Sequence, residues 1–231
     1  MKNNLVPINF LKTPTDNSST ISDLKKFWKI ILPLILHREQ HFEEIWKNAT
    51  EEEIFAELVF CIFTPQSKSV ICWNAVIDLV RRNMIFCQKD VEIAKVINKV
   101  RFRNNKAKYV VEARKFFTIN DNIKIRKKLT SFKNVYYLRD WIVQNIKGIG
   151  YKEAGHFLRN ISIAKDFAIL DRHILKNLYI YKIINKIPQT LNVKTYLEIE
   201  KKMQNFAKNI KIPMAHLDML FWCKKTGGIF K

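Results

Sequence analysis

From Ser22 onward, apolar residues recur at three- and four-residue intervals, the spacing of one helix face. Leu24, Phe27, Trp28 and Ile31 fall on one such stripe, and Ile54, Leu58 and Cys61 on another. The pattern therefore predicts an all-α fold. Thr50 with Glu53 reads as a capping box, Thr64 before Pro65 as a further helix start, and Thr226 to Gly228 as the end of the last helix. Two apolar helical stretches, Tyr136 to Ile146 and Tyr151 to Ile161, flank Gly148-Ile149-Gly150. The two glycines predict a tight turn with positive φ, where one backbone can approach another without a Cβ in the way. The unit reads as helix, hairpin, helix, and the second helix opens its N-terminal N–H groups toward an anion such as a DNA phosphate. Only residues 1–21, with Pro7, Pro14 and the run TDNSST, read as a loosely packed arm.

Composition narrows the class. In 231 residues, 48% hydrophobic content is enough for a packed core of one domain or two small ones. The 41 Lys plus Arg against 21 Asp plus Glu leave a formal charge of +20, so a polyanion is the favoured partner, nucleic acid first. A lysine-rich, heat-adapted surface is the plainer explanation of the same excess. The most apolar run, FWKIILPLIL at 27–36, is short and carries Lys29 and Pro33, so no membrane span is expected. The first residues lack a secretory h-region, and the expectation is a soluble, cytoplasmic protein. Cys61, Cys72, Cys87 and Cys223 match no zinc or iron–sulfur spacing and read as reduced core thiols.

The string KGIGYKEAGHFLRN, followed by AILDRHIL, resembles the helix-hairpin-helix DNA glycosylase superfamily, most closely the archaeal-type (type 2) 8-oxoguanine DNA glycosylase/AP lyases. FTPQSKSVICW at 63–73, VRFRNNKAKYVVEARKF at 100–116 and HLDMLFWCKKTGGIFK at 216–231 extend the resemblance over most of the chain. It implies two helical domains flanking a cleft: a central bundle at 50–160 that ends in the hairpin, and a discontinuous domain from 22–49 and 161–231. It also implies a monomer acting on double-stranded DNA that contains 8-oxoguanine, at the nucleoid, with no cofactor required. Many endonuclease III-like relatives carry four clustered cysteines for an iron–sulfur cluster; this chain departs from that pattern, and no cluster is expected.

Base removal needs a nucleophile at C1′ and a carboxylate to balance the positive charge that develops on the sugar. The resemblance assigns these roles to Lys152, two residues past Gly150, and to Asp171, nineteen residues further on. A neutral lysine amine forms an iminium with the opened sugar, which permits strand cleavage by β-elimination. Taken alone, a lysine in the first turn of a helix in so basic a chain is ordinarily a solvated one. Gly148, Gly150 and His173 are the expected phosphate contacts, His173 being equally readable as a helix-start histidine. By resemblance alone, a Na+ or K+ ion is expected on the main-chain carbonyls of Gln144, Ile146 and Ile149.

An extruded base leaves a gap in the stack. Gln66, read as standing at a helix start after Thr64-Pro65, is the candidate filler; an ordinary first-turn glutamine is the alternative. Asp218 and Trp222 are four apart on one helix face, so a carboxylate can accept from guanine N1–H and N2–H₂ while an indole stacks on the ring. A core tryptophan beside a surface aspartate is the alternative. Lys231 and its α-carboxylate are expected, by resemblance, to help tell 8-oxoguanine from guanine, with Phe102 as a second stacking ring. Arg101, Arg103, Lys106, Lys108, Arg114 and Lys115 read mostly as a solvated helix face that meets DNA phosphate. Two rivals remain at this point: the same chemistry on oxidised pyrimidines, and a DNA-binding module without enzymatic activity.

Overall fold

The computed structural model describes residues 11–12, 20–87 and 89–231. Among these the element order is β1 (Leu11–Lys12), α1 (Ile21–Asn48), α2 (Glu51–Phe63), α3 (Ser69–Arg81), α4 (Met84–Cys87), α5 (Asp90–Val96), α6 (Arg103–Phe117), β2 (Thr118–Ile119), β3 (Asn122–Ile123), α7 (Ile125–Leu129), α8 (Val135–Asn145), α9 (Tyr151–Asn160), α10 (Arg172–Ile180), α11 (Val193–Ile210), α12 (Met214–Thr226) and β4 (Gly228–Ile229). The fold is all-α, with two short two-stranded ribbons. No described helix is long and apolar enough to cross a membrane.

The described residues fall into two compact units. One holds Glu43–Ile163; the other holds 11–12, 20–42 and Ala164–Lys231. The division falls inside α1, between Phe42 and Glu43, and just after Ile163. Helix α1 continues through Pro33, so chain connectivity does not break where the packing does.

In the first unit, α2 is the central element, with every residue from Glu53 to Phe63 buried. A helix buried on all sides cannot rely on solvent at its ends. Thr50 and Glu53 close the N-terminus as a reciprocal capping box, Thr50 Oγ1 accepting from Glu53 N at 3.2 Å and Glu53 Oε2 accepting from Thr50 N at 2.9 Å. The C-terminus is treated below. Helices α3, α6, α7 and α9 pack around α2. Arg126 ties α7 to the end of α1, donating to the carbonyls of Trp46 and Ala49.

The second unit is built on α10, α11 and α12. The extended segment before α10 would leave backbone groups unpaired, and α11 supplies partners. Glu200 Oε2 accepts from Ala168 N at 2.9 Å, and Tyr196 donates its hydroxyl to the carbonyl of Ala168. Helix α12 ends at Gly227, left-handed at φ 71. Beyond it β4 pairs antiparallel with β1, Leu11 opposite Ile229 and Lys12 opposite Gly228, and Phe230 is buried. Residues 11–12 of the expected loose arm are therefore strand-paired and Ile21 already belongs to α1, while 1–10 and 13–19 lie outside the described residues. Cys61, Cys72 and Cys223 are buried and in no disulfide, and the side chain of Cys87 lies outside the described residues.

His41, on α1, senses this arrangement. Burial first, then the charges of Lys231, Arg38 and His37, lower it from 6.5 to about 4. A histidine that resists protonation when folded but accepts a proton when unfolded contributes stability above pH 6.5 that is lost as pH falls toward 4. Urea unfolding of wild type and His41→Gln across pH 4 to 7 is expected to show the wild type losing up to about 3 kcal/mol more over that window. Parallel pH profiles would mean that His41 is not held neutral.

Candidate active site

The hairpin begins where α8 ends. Ile146 caps α8, its N–H bonded to the carbonyl of Ile142 at 2.9 Å, and Ile149 N–H then returns to the carbonyl of Ile146 at 3.3 Å. Gly148 turns the chain at φ +82. A Cβ on this residue would lie 2.5 Å from Cδ2 of Tyr109 on α6, so glycine is demanded by both conformation and room. Gly150 corrects the expectation of a second positive φ: it is extended, at φ −100, and serves as the N-cap of α9. Having no side chain to accept a bond, it donates its N–H to Glu153 Oε2 at 3.3 Å. A Cβ on Gly150 would meet that same oxygen at 3.3 Å.

Lys152 is the second residue of α9, and its Nζ lies 2.9 Å from Glu153 Oε1. The lysine side chain is about a quarter exposed and the glutamate is nearly covered, at 26% and 11%. One carboxylate thus holds both the N-cap backbone and the amine. Glu153 was not singled out from the sequence, although a glutamate three residues after an N-cap is the capping-box signature. Beside it, Tyr151 donates to Asp140 Oδ1 at 2.8 Å, and the buried Arg139 guanidinium sits 5.0 Å from the Tyr151 ring centroid. Gln144 lies in the last turn of α8, Ile146 at its cap and Ile149 buried in the turn, so these three carbonyls belong to the same hairpin.

Gln66 is exposed, but not at a helix start. Thr64 is the C-cap of α2, its N–H bonded to the carbonyl of Phe60, and α3 does not begin until Ser69. Gln66 sits in the Thr64–Ser67 turn, closed by Ser67 N–H to the Thr64 carbonyl at 3.0 Å, with φ +55. Phe102 is 52% exposed, caps the start of α6 and is also left-handed, at φ +59, with the Arg101 guanidinium 5.0 Å from its ring centroid. Elsewhere in the unit Asn83, Asn120 and Asp121 are residue types that tolerate this region, and Ser162, like Gln66 and Phe102, is not.

Arg101, Arg103, Lys108 and Lys115 are exposed, as expected of a mostly solvated basic face, and Lys106 departs from it. It is 3% exposed, and its Nζ donates to the carbonyls of Phe63 and Pro65, both at 2.7 Å, and to Ser67 Oγ at 3.2 Å. Those carbonyls stand at the C-terminal end of α2, the negative end of the helix dipole, which this ammonium closes. Ser67 Oγ also accepts from Arg101 N at 3.0 Å. Burial lowers Lys106 to about 8, opposed by Cys72 and Glu153 and reinforced by Lys152 and Arg101. Cys72, donating Sγ–H to the Phe63 carbonyl at 3.2 Å, is pushed up to about 11 by burial and is an inert thiol.

In the second unit Asp171 is the N-cap of α10, its Oδ1 accepting from His173 N at 2.7 Å and from Ile174 N at 2.8 Å. The carboxylate is half-buried and orientationally fixed. The backbone of His173 is thus used by the cap, and its side chain is half-buried. On α12, Asp218 is 5% exposed and Trp222 half-buried. Asn177 joins α10 to this helix, donating to the carbonyls of His173 at 2.9 Å and Phe221 at 3.3 Å. Lys231 is half-buried and follows the anchored Phe230. Among the described residues, no cluster of three or more His, Cys, Asp or Glu side chains could hold a metal ion.

The family model described as 8-oxoguanine DNA glycosylase matches residues 35–212. A Fusobacterium nucleatum protein named 8-oxoguanine DNA glycosylase/AP lyase is 43% identical over 210 residues, 91% of this chain and 97% of that one. The structure of Methanocaldococcus jannaschii 8-oxoguanine glycosylase/lyase, in complex with a 15mer DNA containing 8-oxoguanine, is similar with a TM-score of 0.82 at 34% identity, covering 91% of this chain and 99% of that one. The Thermotoga maritima 8-oxoguanine DNA glycosylase structure gives 0.80 at 27% identity, covering 91% and 98%.

The hairpin geometry makes a direct prediction. Gly148→Ala meets both a left-handed backbone and the Tyr109 ring and is expected to cost at least ~2 kcal/mol in urea unfolding. Gly150→Ala, extended and facing only a carboxylate tip, is expected to cost under about 1 kcal/mol. Equal costs would show that conformation at position 148 is not the constraint.

Proposed function

The chain belongs to the 8-oxoguanine DNA glycosylase family, and from that premise we propose that it is a bifunctional DNA glycosylase/AP lyase. It removes 8-oxoguanine from double-stranded DNA and then cleaves the abasic strand by β-elimination, in base excision repair. The observation that carries this reading is Lys152, set in the first turn of α9 directly after a hairpin whose glycine is sterically required.

The neutral amine of Lys152 attacks C1′ as the bond to the base breaks, and the base departs with a proton. The sugar ring opens to an iminium, which acidifies the C2′ proton; its removal expels the 3′ phosphate. Before attack the ammonium must release its proton and leave the ion pair with Glu153. Asp171 is the second catalytic group: with Oδ1 committed to two backbone N–H groups, its other oxygen is available to the positive sugar or to a proton. Gly148, Gly150 and His173 contact phosphate, and the open N-terminus of α9 favours that anion.

Gln66 fills the gap left by the extruded base. Asp218 accepts from the donors on the guanine Watson–Crick edge, Trp222 and Phe102 supply stacking faces, and Lys231 completes the recognition set. The carbonyls of Gln144, Ile146 and Ile149 are hard oxygen donors around one turn and fit a Na+ or K+ ion. The long bond from Ile149 to Ile146 leaves acceptor capacity there, and such an ion would add positive charge where phosphate binds.

Borohydride treatment of a duplex with one 8-oxoguanine is expected to trap wild type covalently and to leave Lys152→Gln untrapped and without strand cleavage. An active wild type that forms no adduct would point to direct attack by water, and preference for a thymine-glycol duplex would reassign the lesion. For recognition, Asp218→Ala is expected to lower 8-oxoguanine excision at least about tenfold more than cleavage at a preformed abasic site, the loss of two charge-assisted hydrogen bonds. Equal losses in both assays would make Asp218 a folding residue.

A further inference from the structure

Among the buried charges that the glycosylase mechanism leaves unused is Lys106. Its ammonium sits against three acceptors of one turn, the carbonyls of Phe63 and Pro65 and the hydroxyl of Ser67, and matches them with its three N–H donors. Ser67 in turn accepts from the backbone of Arg101, one residue before Phe102. Lys106 itself belongs to the first turn of α6, and its own N–H bonds to the carbonyl of Phe102 at 3.0 Å. A closed path therefore runs from the turn bearing Gln66 through Lys106 and Ser67 to the segment bearing Phe102. Both exposed residues are left-handed, a conformation that costs roughly 1–3 kcal/mol for such side chains and persists only where surrounding structure enforces it.

We propose that Lys106 is a positioning residue for base extrusion: its ammonium fastens the Gln66 turn to the Phe102 segment, so that the gap filler and the stacking ring meet the duplex at a fixed separation. The proposal rests on the glycosylase reading and assigns Lys106 no part in the chemistry of Lys152. Lysine suits the place because a compact ammonium can donate to three acceptors at once, which neither a planar guanidinium nor a thioether reproduces.

The test is single-turnover kinetics on two duplexes, one with 8-oxoguanine and one with a preformed abasic site, for wild type, Lys106→Met, Gln66→Ala and the double variant. Lys106→Met is expected to lower excision at least about tenfold more than abasic-site cleavage, since extrusion has already been bypassed in the second substrate. The double variant is expected to excise within about twofold of the worse single variant, because both changes remove one device. Fluorescence of 2-aminopurine placed beside the lesion should rise on mixing with wild type and not with Lys106→Met. Multiplicative losses in the double variant, equal losses on both duplexes, or unchanged excision would each overturn the proposal. If Lys106→Met fails to fold, Ser67→Ala, which leaves the charge in place and removes the link to Arg101, is expected to give a selective loss of about threefold; no selectivity would overturn it. A wild type that leaves 8-oxoguanine intact would bring down the glycosylase reading and this proposal together, whereas an active wild type with a non-selective Lys106→Met brings down this proposal alone.

Discussion

A helix cannot satisfy its own ends, and in this protein several candidate site residues stand where helices end or begin. The first N–H groups and last carbonyls of an α-helix have no partners within it, and a buried unpaired group costs on the order of 1–3 kcal/mol. Lys152 is in the first turn of α9, Asp171 is the N-cap of α10, Phe102 is the N-cap of α6, and Gln66 follows the C-terminus of α2. Three of these ends are closed by a side chain, Glu153 at α9, Asp171 at α10 and Lys106 at α2, whereas α6 starts at Phe102 without a side-chain cap. The same bonds that make these helices stable fix the direction in which the functional groups leave the backbone.

Charge is distributed accordingly. Of the +20 excess, most must sit on the surface, where a polyanion can meet it. The exceptions are informative, because a buried cation needs acceptors in place. Lys106 has two carbonyls and a hydroxyl, and Lys224 donates to the Tyr181 hydroxyl at 2.6 Å with the Tyr181 ring stacked on Phe221. Glu153 answers both Lys152 and the Gly150 amide, so its loss would loosen an amine and a helix start together.

Much of the fold could be read from residue spacing. The helices flanking the hairpin, expected over 136–146 and 151–161, are Val135–Asn145 and Tyr151–Asn160, and the Thr50–Glu53 box forms with both bonds. Thr64-Pro65 misled because a threonine before proline reads equally well as a start or an end; here its N–H still belongs to α2. Gly150 misled because glycine also serves as an extended N-cap, a place that needs no positive φ. Lys106 was legible in principle: Lys106, Val110, Ala113 and Phe117 form the buried stripe of α6, so a helical period already placed the lysine inside. Its charge hid this, and no local signal names three acceptors that lie some forty residues upstream. The pairing of β1 with β4 is of the same kind, since two-residue strands carry no periodicity.

The strain at Gln66 and Phe102 is the clearest place where local preference has been overruled. Two left-handed residues of these types cost together about 2–6 kcal/mol. The buried Lys106 amine, donating to three acceptors of one turn, holds that conformation in place, although burial itself disfavours its charge. The gain lies in timing. Side chains that had to be ordered while a base leaves the stack would add their conformational entropy, about 0.5–1.5 kcal/mol apiece, to a step that already opposes stacking and pairing. With the backbone of both segments held in advance by Lys106 and Ser67, part of that cost falls at folding, once, on a core able to bear it, and not on every encounter with DNA.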